Sequence, residues 1–292
     1  MSASNAEEGR PRGRRRRNRR ERFGPPRGLL LLPHLLTTAG LGFGFFAIVM
    51  AFAGRNDLAA SAIIFAILCD IFDGRVARLA KSTSRFGGEY DSIADTVSFA
   101  VAPAMLAVSA GNLQILGRAG WVMAFLYTAC AALRLARFNV SPSRYRGRFE
   151  GLPSPAAAGV IASTQLFVSF LREGGVAIDV PEFLVAGATA VLGLLMVSSI
   201  PYRSFKELDV RHSFLTLVFV VFAIALVVLE PSVSLFCIGI IYTVHGPVEW
   251  LLRRRSGRKL EEVAPPVSGE ALHASETPHA SETSHASETP QG

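Results

Sequence analysis

Charge is scarce along most of this 292-residue chain. Acidic and basic residues make up only 18% of it, against 50% hydrophobic residues. They thin out in eight apolar stretches, about 29–53, 58–74, 93–110, 119–138, 155–171, 182–200, 213–229 and 232–252. Runs of about 17–20 apolar residues between short polar loops are a membrane pattern, because that length spans the hydrocarbon of a bilayer. Cysteine is scarce as well. Cys69, Cys130 and Cys237 lie far apart within apolar stretches, which excludes a zinc spacing and a disulfide framework and leaves buried packing residues. There is no P-loop, nucleophile elbow or zinc-protease helix. The first apolar stretch does not read as a cleaved signal, since its basic leader is long and no small-residue cleavage site follows.

The charge that is present is placed with a bias. With the N-terminus on the cytoplasmic side, 27 of the 30 lysines and arginines fall in inside segments, and only Arg55, Arg118 and Arg172 fall outside. The positive-inside rule then puts both termini in the cytoplasm. The net charge of +7 is thus a signal of topology and of a lipid surface. Residues 1–28 form an arginine-rich arm with Gly and Pro throughout, expected to be disordered and drawn to anionic headgroups. No aromatic interleaving accompanies it, so nucleic acid is not an expected partner. Residues 29–252 make the membrane domain. Residues 253–292 form a polar tail with H-A-S-E-T-P-type repeats that is too hydrophilic to fold, where a solvated tail outweighs weak metal binding by its histidines.

Within the apolar domain the carboxylates are concentrated at one place. Asp70 and Asp73 end one stretch, three residues apart, and Asp91 and Asp95 start the next, four apart. On helices both spacings put each pair on one face. A turn around Gly87 and Gly88 is expected to bring the faces together. At 1.5 Å per residue Asp70 lies roughly 20 Å along its span, inside the ~30 Å core, where a carboxylate is costly unless it lines a wet cavity or binds metal. Acids that merely cap helix ends and pair with Arg75, Arg78, Lys81 or Arg85 are the plainer account. Four at this spacing in so apolar a setting favour divalent cations. Oxygen ligands without His or Cys point to Mg²⁺ or Mn²⁺, with Ca²⁺ as the alternative.

The stretch D70-x2-D73-G74-x2-A77-R78-x8-G87-x3-D91-x3-D95 resembles, letter for letter, the signature of the CDP-alcohol phosphotransferases. Further segments resemble the serine-specific branch of that family: T-T-A at 37–39, D-S-I-A-D-T-V-S-F, A-L-R-L-A-R-F-N, G-L-P-S-P-A-A-A and P-Y-R-S-F-K. His34, Gly40 and Ala100 depart from that branch, which usually has Asn, Asn and Gly at these places.

The resemblance implies an all-α integral membrane protein of about eight transmembrane helices, a six-helix core plus two C-terminal helices. It implies an enzyme of a bacterial-type inner membrane that moves a phosphatidyl group from CDP-diacylglycerol to L-serine and releases CMP. Asp70, Asp73, Asp91 and Asp95 are the implied ligands of two metal ions, with Asp95 also taking the hydroxyl proton. Gly74, Ala77, Arg78 and Gly87 are the implied contacts of the CDP donor. A serine-selective site also needs a cation for the carboxylate, and Arg134 and Arg137 end the fourth stretch on the cytoplasmic side. Their plainer role is a snorkelling anchor. Asn139, Ser154, Tyr202 and Lys206 are the candidate polar contacts beside them. A homodimer is a further expectation from the family. The alternatives are a sibling enzyme using glycerol phosphate or inositol, a cation transporter, and a non-enzymatic anchor.

Overall fold

The computed structural model describes residues 27–80, 85–140, 148–176, 178–203, 221–222 and 225–256. Nearly all of the basic arm, most of the seventh expected span, Lys206, His212 and the repeat tail lie outside the described residues.

Eight α-helices are bounded within the described residues. They are α1 (Arg27–Phe52), α2 (Asn56–Ala80), α3 (Arg85–Asp95), α4 (Ala102–Ala110), α5 (Arg118–Val140), α6 (Ser154–Glu173), α7 (Glu182–Val197) and α8 (Pro231–Ser256). A π-helical turn, Thr96–Val101, joins α3 to α4, and a 3-10 turn, Leu113–Leu116, precedes α5. Two short strands that sequence reading did not anticipate, β1 (Arg148–Glu150) and β2 (Pro201–Arg203), pair antiparallel with Phe149 opposite Tyr202.

The protein is an all-α membrane fold. Among the described residues, five helical segments are long and apolar enough to span: Leu32–Phe52, Phe86–Ala110, Arg118–Val140, Ser154–Glu173 and Pro231–Ser256. Helix α2 is of spanning length at 25 residues, but Asp57, Asp70, Asp73 and Arg75 interrupt its apolar character. Helix α7 is shorter, at 16 residues. Of the seventh stretch, 221–222 and 225–229 are described, and both are helical. The third span starts earlier than expected, at Phe86. Gly87 and Gly88 therefore lie inside α3 and do not make the turn; the connection falls between Ala80 and Arg85.

Packing follows the rule for helices in lipid, with small residues inside and large ones outside. On α1 the buried face is Pro33, Thr37, Gly40, Gly44, Ala47 and Ala51, a stripe at spacings of three and four. Gly40 and Gly44 share that stripe and Gly42 does not, so the alternating glycines have different jobs. A Cβ on Gly40 would sit 3.5 Å from Cys69 on α2, and one on Gly44 would collide with Ser98, while one on Gly42 would meet nothing. The facing stripe on α2 is Ala59, Ala62, Ala66 and, further along, Asp73. Phe45, Phe65 and Phe125 point outward with more than half of their surface exposed, as lipid-facing residues do. Cys130 is buried as expected, but Cys237 on α8 is exposed, so it is not a core residue.

The π turn directly follows Asp95, and such turns often mark functional sites. Its cause is local. In an α-helix the Phe99 carbonyl takes the N–H of residue 103, but Pro103 has none. Tyr127 of α5 supplies the missing donor, its buried hydroxyl giving a 3.1 Å hydrogen bond to the Phe99 carbonyl. Replacing Tyr127 with Phe leaves that carbonyl unsatisfied in an apolar core. The expected loss is about 1–3 kcal/mol, measured as a lowered melting temperature of the detergent-solubilised protein.

Candidate active site

Asp70 on α2 and Asp91 and Asp95 on α3 each bring one carboxylate oxygen to within 4.8 Å of the others. The i, i+4 spacing of Asp91 and Asp95 aims both from one face of α3, and the α1 stripe holds α2 beside it. Asp73, one turn beyond Asp70, is only 6% exposed. Its carboxylate accepts a 3.0 Å hydrogen bond from the Thr37 hydroxyl of α1. The four aspartates, Thr37, Gly40 and Ser98 line one small cavity. The expected grouping of all four acids is thus present, with Asp73 fastened to Thr37 and the other three converging.

The donors fit a divalent cation. They are hard oxygens with no imidazole among them, the set that suits Mg²⁺ or Mn²⁺. Among the described residues no lysine or arginine forms an ion pair with Asp73, Asp91 or Asp95. Clustered carboxylates without a paired cation repel one another strongly at low dielectric.

The implied donor contacts lie on the same two helices. Gly74 follows Asp73 on α2, and a Cβ there would meet nothing within 4 Å, so the helix has open space on that side. Gly87 is half-buried on the first turn of α3. Ala77 and Arg78 belong to the last turns of α2, and their side chains lie outside the described residues.

The implied serine contacts separate into different roles. Arg134 is 8% exposed and within electrostatic reach of Asp95. One guanidinium nitrogen donates to the Ser154 hydroxyl at 3.2 Å, while its buried Nε has no hydrogen-bond partner among the described residues. Arg137, one turn on, is committed to backbone carbonyls. It donates to Glu150 at 3.0 Å, Val197 at 3.2 Å and Ser198 at 3.4 Å, clamping the end of α7 to β1. Asn139 donates to the Ser92 hydroxyl at 2.8 Å and so ties α5 to α3 beside Asp91. Tyr202 is buried and gives its hydroxyl to the Thr243 carbonyl of α8 at 3.1 Å. Thr37, which sequence reading noted only within T-T-A, and Tyr127, which it did not single out, are site-supporting residues. Their partners are 36 and 28 residues away, with no motif connecting them.

This arrangement of carboxylates in a membrane bundle belongs to a known class. The CDP-alcohol phosphatidyltransferase family profile matches residues 30–200, and the chain belongs to that family. A CDP-diacylglycerol--serine O-phosphatidyltransferase of Helicobacter pylori (strain J99) is 34% identical over 230 residues, covering 78% of this chain and 94% of that protein. A Mycobacterium bovis protein of the same name is 33% identical over 250 residues, covering 82% and 81%. A third, from Methanocaldococcus jannaschii, is 34% identical over 194 residues, covering 65% and 83%.

Replacing Asp70 or Asp91 with Asn removes the charge of one of the three converging carboxylates. Mn²⁺ titrated into the purified protein and followed by electron paramagnetic resonance should show binding weakened by at least tenfold. Unchanged Mn²⁺ binding in both variants would count against the cluster as a metal site.

Proposed function

We propose that the protein transfers the phosphatidyl group of CDP-diacylglycerol to the hydroxyl of L-serine, forming phosphatidylserine and CMP. The observation that carries this reading is the convergence of Asp70, Asp91 and Asp95 beside a buried arginine whose Nε lacks a partner. The names of the relatives agree with it.

Asp70, Asp73, Asp91 and Asp95 would hold two divalent ions in this reading, which would supply positive charge to the diphosphate and to the departing CMP. The open side of α2 at Gly74 admits the nucleotide, with Ala77, Arg78 and Gly87 around it. The serine hydroxyl oxygen attacks the phosphorus that bears the diacylglycerol. The anhydride oxygen leaves with CMP, and Asp95 takes the hydroxyl proton. Arg134 faces the acceptor, and its free Nε–H donates to the serine carboxylate. Ser154 orients that guanidinium. Arg137, Asn139 and Tyr202 act from behind, since their described hydrogen bonds go to protein partners.

The ends of α5, α7 and α8 meet the site at one end of the bundle, and arginines crowd the close of α8. Under the positive-inside rule this end faces the cytoplasm of a bacterial inner membrane, with both termini on that side. Pairing of two copies is part of the same proposal, on the strength of the family. A cation path is disfavoured because Ala59, Ile63, Phe99 and Leu106 fill the core beyond the site with buried apolar side chains.

The test is CMP release from CDP-diacylglycerol with serine, glycerol phosphate and inositol in parallel. Release with glycerol phosphate or inositol alone would sink the serine assignment. Arg134→Ala should raise the serine KM roughly tenfold to a hundredfold, the equivalent of one charge-assisted hydrogen bond, with the donor KM within about twofold. Asp95→Asn should abolish turnover while donor binding persists, measured by equilibrium dialysis with labelled CDP-diacylglycerol in detergent.

A further inference from the structure

Helix α8 lies beyond the residues that the family profile matches, yet it is joined to the site by a continuous set of polar contacts. Glu249 of α8 accepts both ends of the Arg148 guanidinium, at 2.9 Å and 3.1 Å. The pair is largely buried, with side-chain exposures of 13% and 15%. Arg253, one turn on, adds two contacts to the same carboxylate at 2.7 Å and 2.8 Å, and His245 approaches it at 3.4 Å. Tyr202 on the facing strand hydrogen-bonds the α8 backbone, and its ring occupies the space where a side chain on Gly246 would lie.

Arg148 begins β1. Two residues later the Glu150 carbonyl is held by Arg137, and four residues after that Ser154 opens α6 and accepts the Arg134 hydrogen bond. The loop between has little slack. Gly151 N–H bonds the Ile200 carbonyl at 2.9 Å and Leu152 N–H the Leu195 carbonyl at 3.0 Å. Gly151 has a φ of 77°, and a Cβ there would run into the Met196 carbonyl. The ribbon is thus fastened on one side by Arg137 and on the other by Glu249, and it delivers Ser154 to Arg134.

We propose that Glu249 is a positioning residue for the acceptor side of the reaction, acting through Arg148 and the ribbon on Ser154 and Arg134. This rests on the reading of Arg134 as the acceptor's anion ligand. Bidentate Arg–carboxylate pairs fix direction as well as distance, and small displacements of a binding group are costly in catalysis. Among the described residues, the hydrogen bonds named here run between α5, α6, α7, α8 and the ribbon.

The experiment is steady-state kinetics on Glu249→Gln, Arg148→Gln and the double variant in detergent, varying serine and CDP-diacylglycerol separately. Each single variant should raise the serine KM by about threefold to thirtyfold, with kcat and the donor KM within twofold. The double variant should be no worse than the worse single one, because both remove the same link. Arg253→Gln, which leaves the bidentate pair in place, should stay within twofold of wild type. If a variant fails to fold, Arg148→Lys keeps the charge, loses the fork and should show the same KM split. Parallel losses in both KM values, a loss in kcat alone, or additive effects in the double variant would overturn the proposal in favour of a general structural role. Unchanged kinetics would overturn it outright. If wild type releases CMP with another alcohol and not with serine, the serine assignment fails, and the same split is read with that alcohol. If no alcohol supports release, both proposals fail together.

Discussion

Everything near the site follows from the need to hold three carboxylates within a few ångströms of one another inside an apolar bundle. Like charges at that distance repel, and burial away from water strengthens the repulsion. The helices that carry them must therefore be braced from outside the cluster. Helix α1 supplies that brace with glycine and alanine, which let its backbone come close to α2 and to the π turn. The stripe changes chemistry without changing direction. Gly44 and Gly40 give way to Thr37, and Thr37 reaches Asp73 at the level where the acids begin. Packing and chemistry occupy one helical face.

A second brace works through the backbone. The proline at 103 leaves a carbonyl orphaned just past Asp95, and Tyr127 accommodates it from α5. The same helix carries Arg134 seven residues later, within electrostatic reach of Asp95. Helix α5 therefore holds the π turn that follows α3 with one residue and addresses the site with another. Arg134 and Arg137, three residues apart, do different work. The first is buried with a nitrogen to spare, and the second is spread over three carbonyls at the junction of β1 and α7.

The two ends of the bundle also differ. Away from the carboxylates, Asp57 of α2 is met by Gln165 and Ser169 of α6, and Ser109 of α4 donates to Asn56. These contacts lock helix ends together with short polar side chains. At the other end long arginines do the joining, and Glu249 gathers two of them. Arginine's planar fork suits this task, because it bridges elements that approach at an angle and leaves fewer donors unmet.

The sequence by itself determined the membrane class, the place of the acidic cluster and the family. Long apolar runs have one physical outcome in lipid, and the spacing of Asp70, Asp73, Asp91 and Asp95 puts acids on helix faces whatever the tertiary arrangement. It also singled out Arg134 and Ser154, which do meet each other. Other features were decided by the tertiary structure alone. Gly87 and Gly88 read as a turn, since glycine favours one, but the apolar face of α3 extends the helix through both. Gly40, Gly42 and Gly44 read as an alternating run, and only the neighbouring helices divide them into two contacts and one spectator. Arg137 and Tyr202 carry the right groups for a ligand, yet their hydrogen bonds go to backbone carbonyls far off in the chain. The link from Glu249 to Arg148 spans 101 residues, and the ribbon too joins strands far apart in the chain. Local pattern constrains what a residue presents on its own helix, whereas the partner across the bundle depends on how separate helices come together.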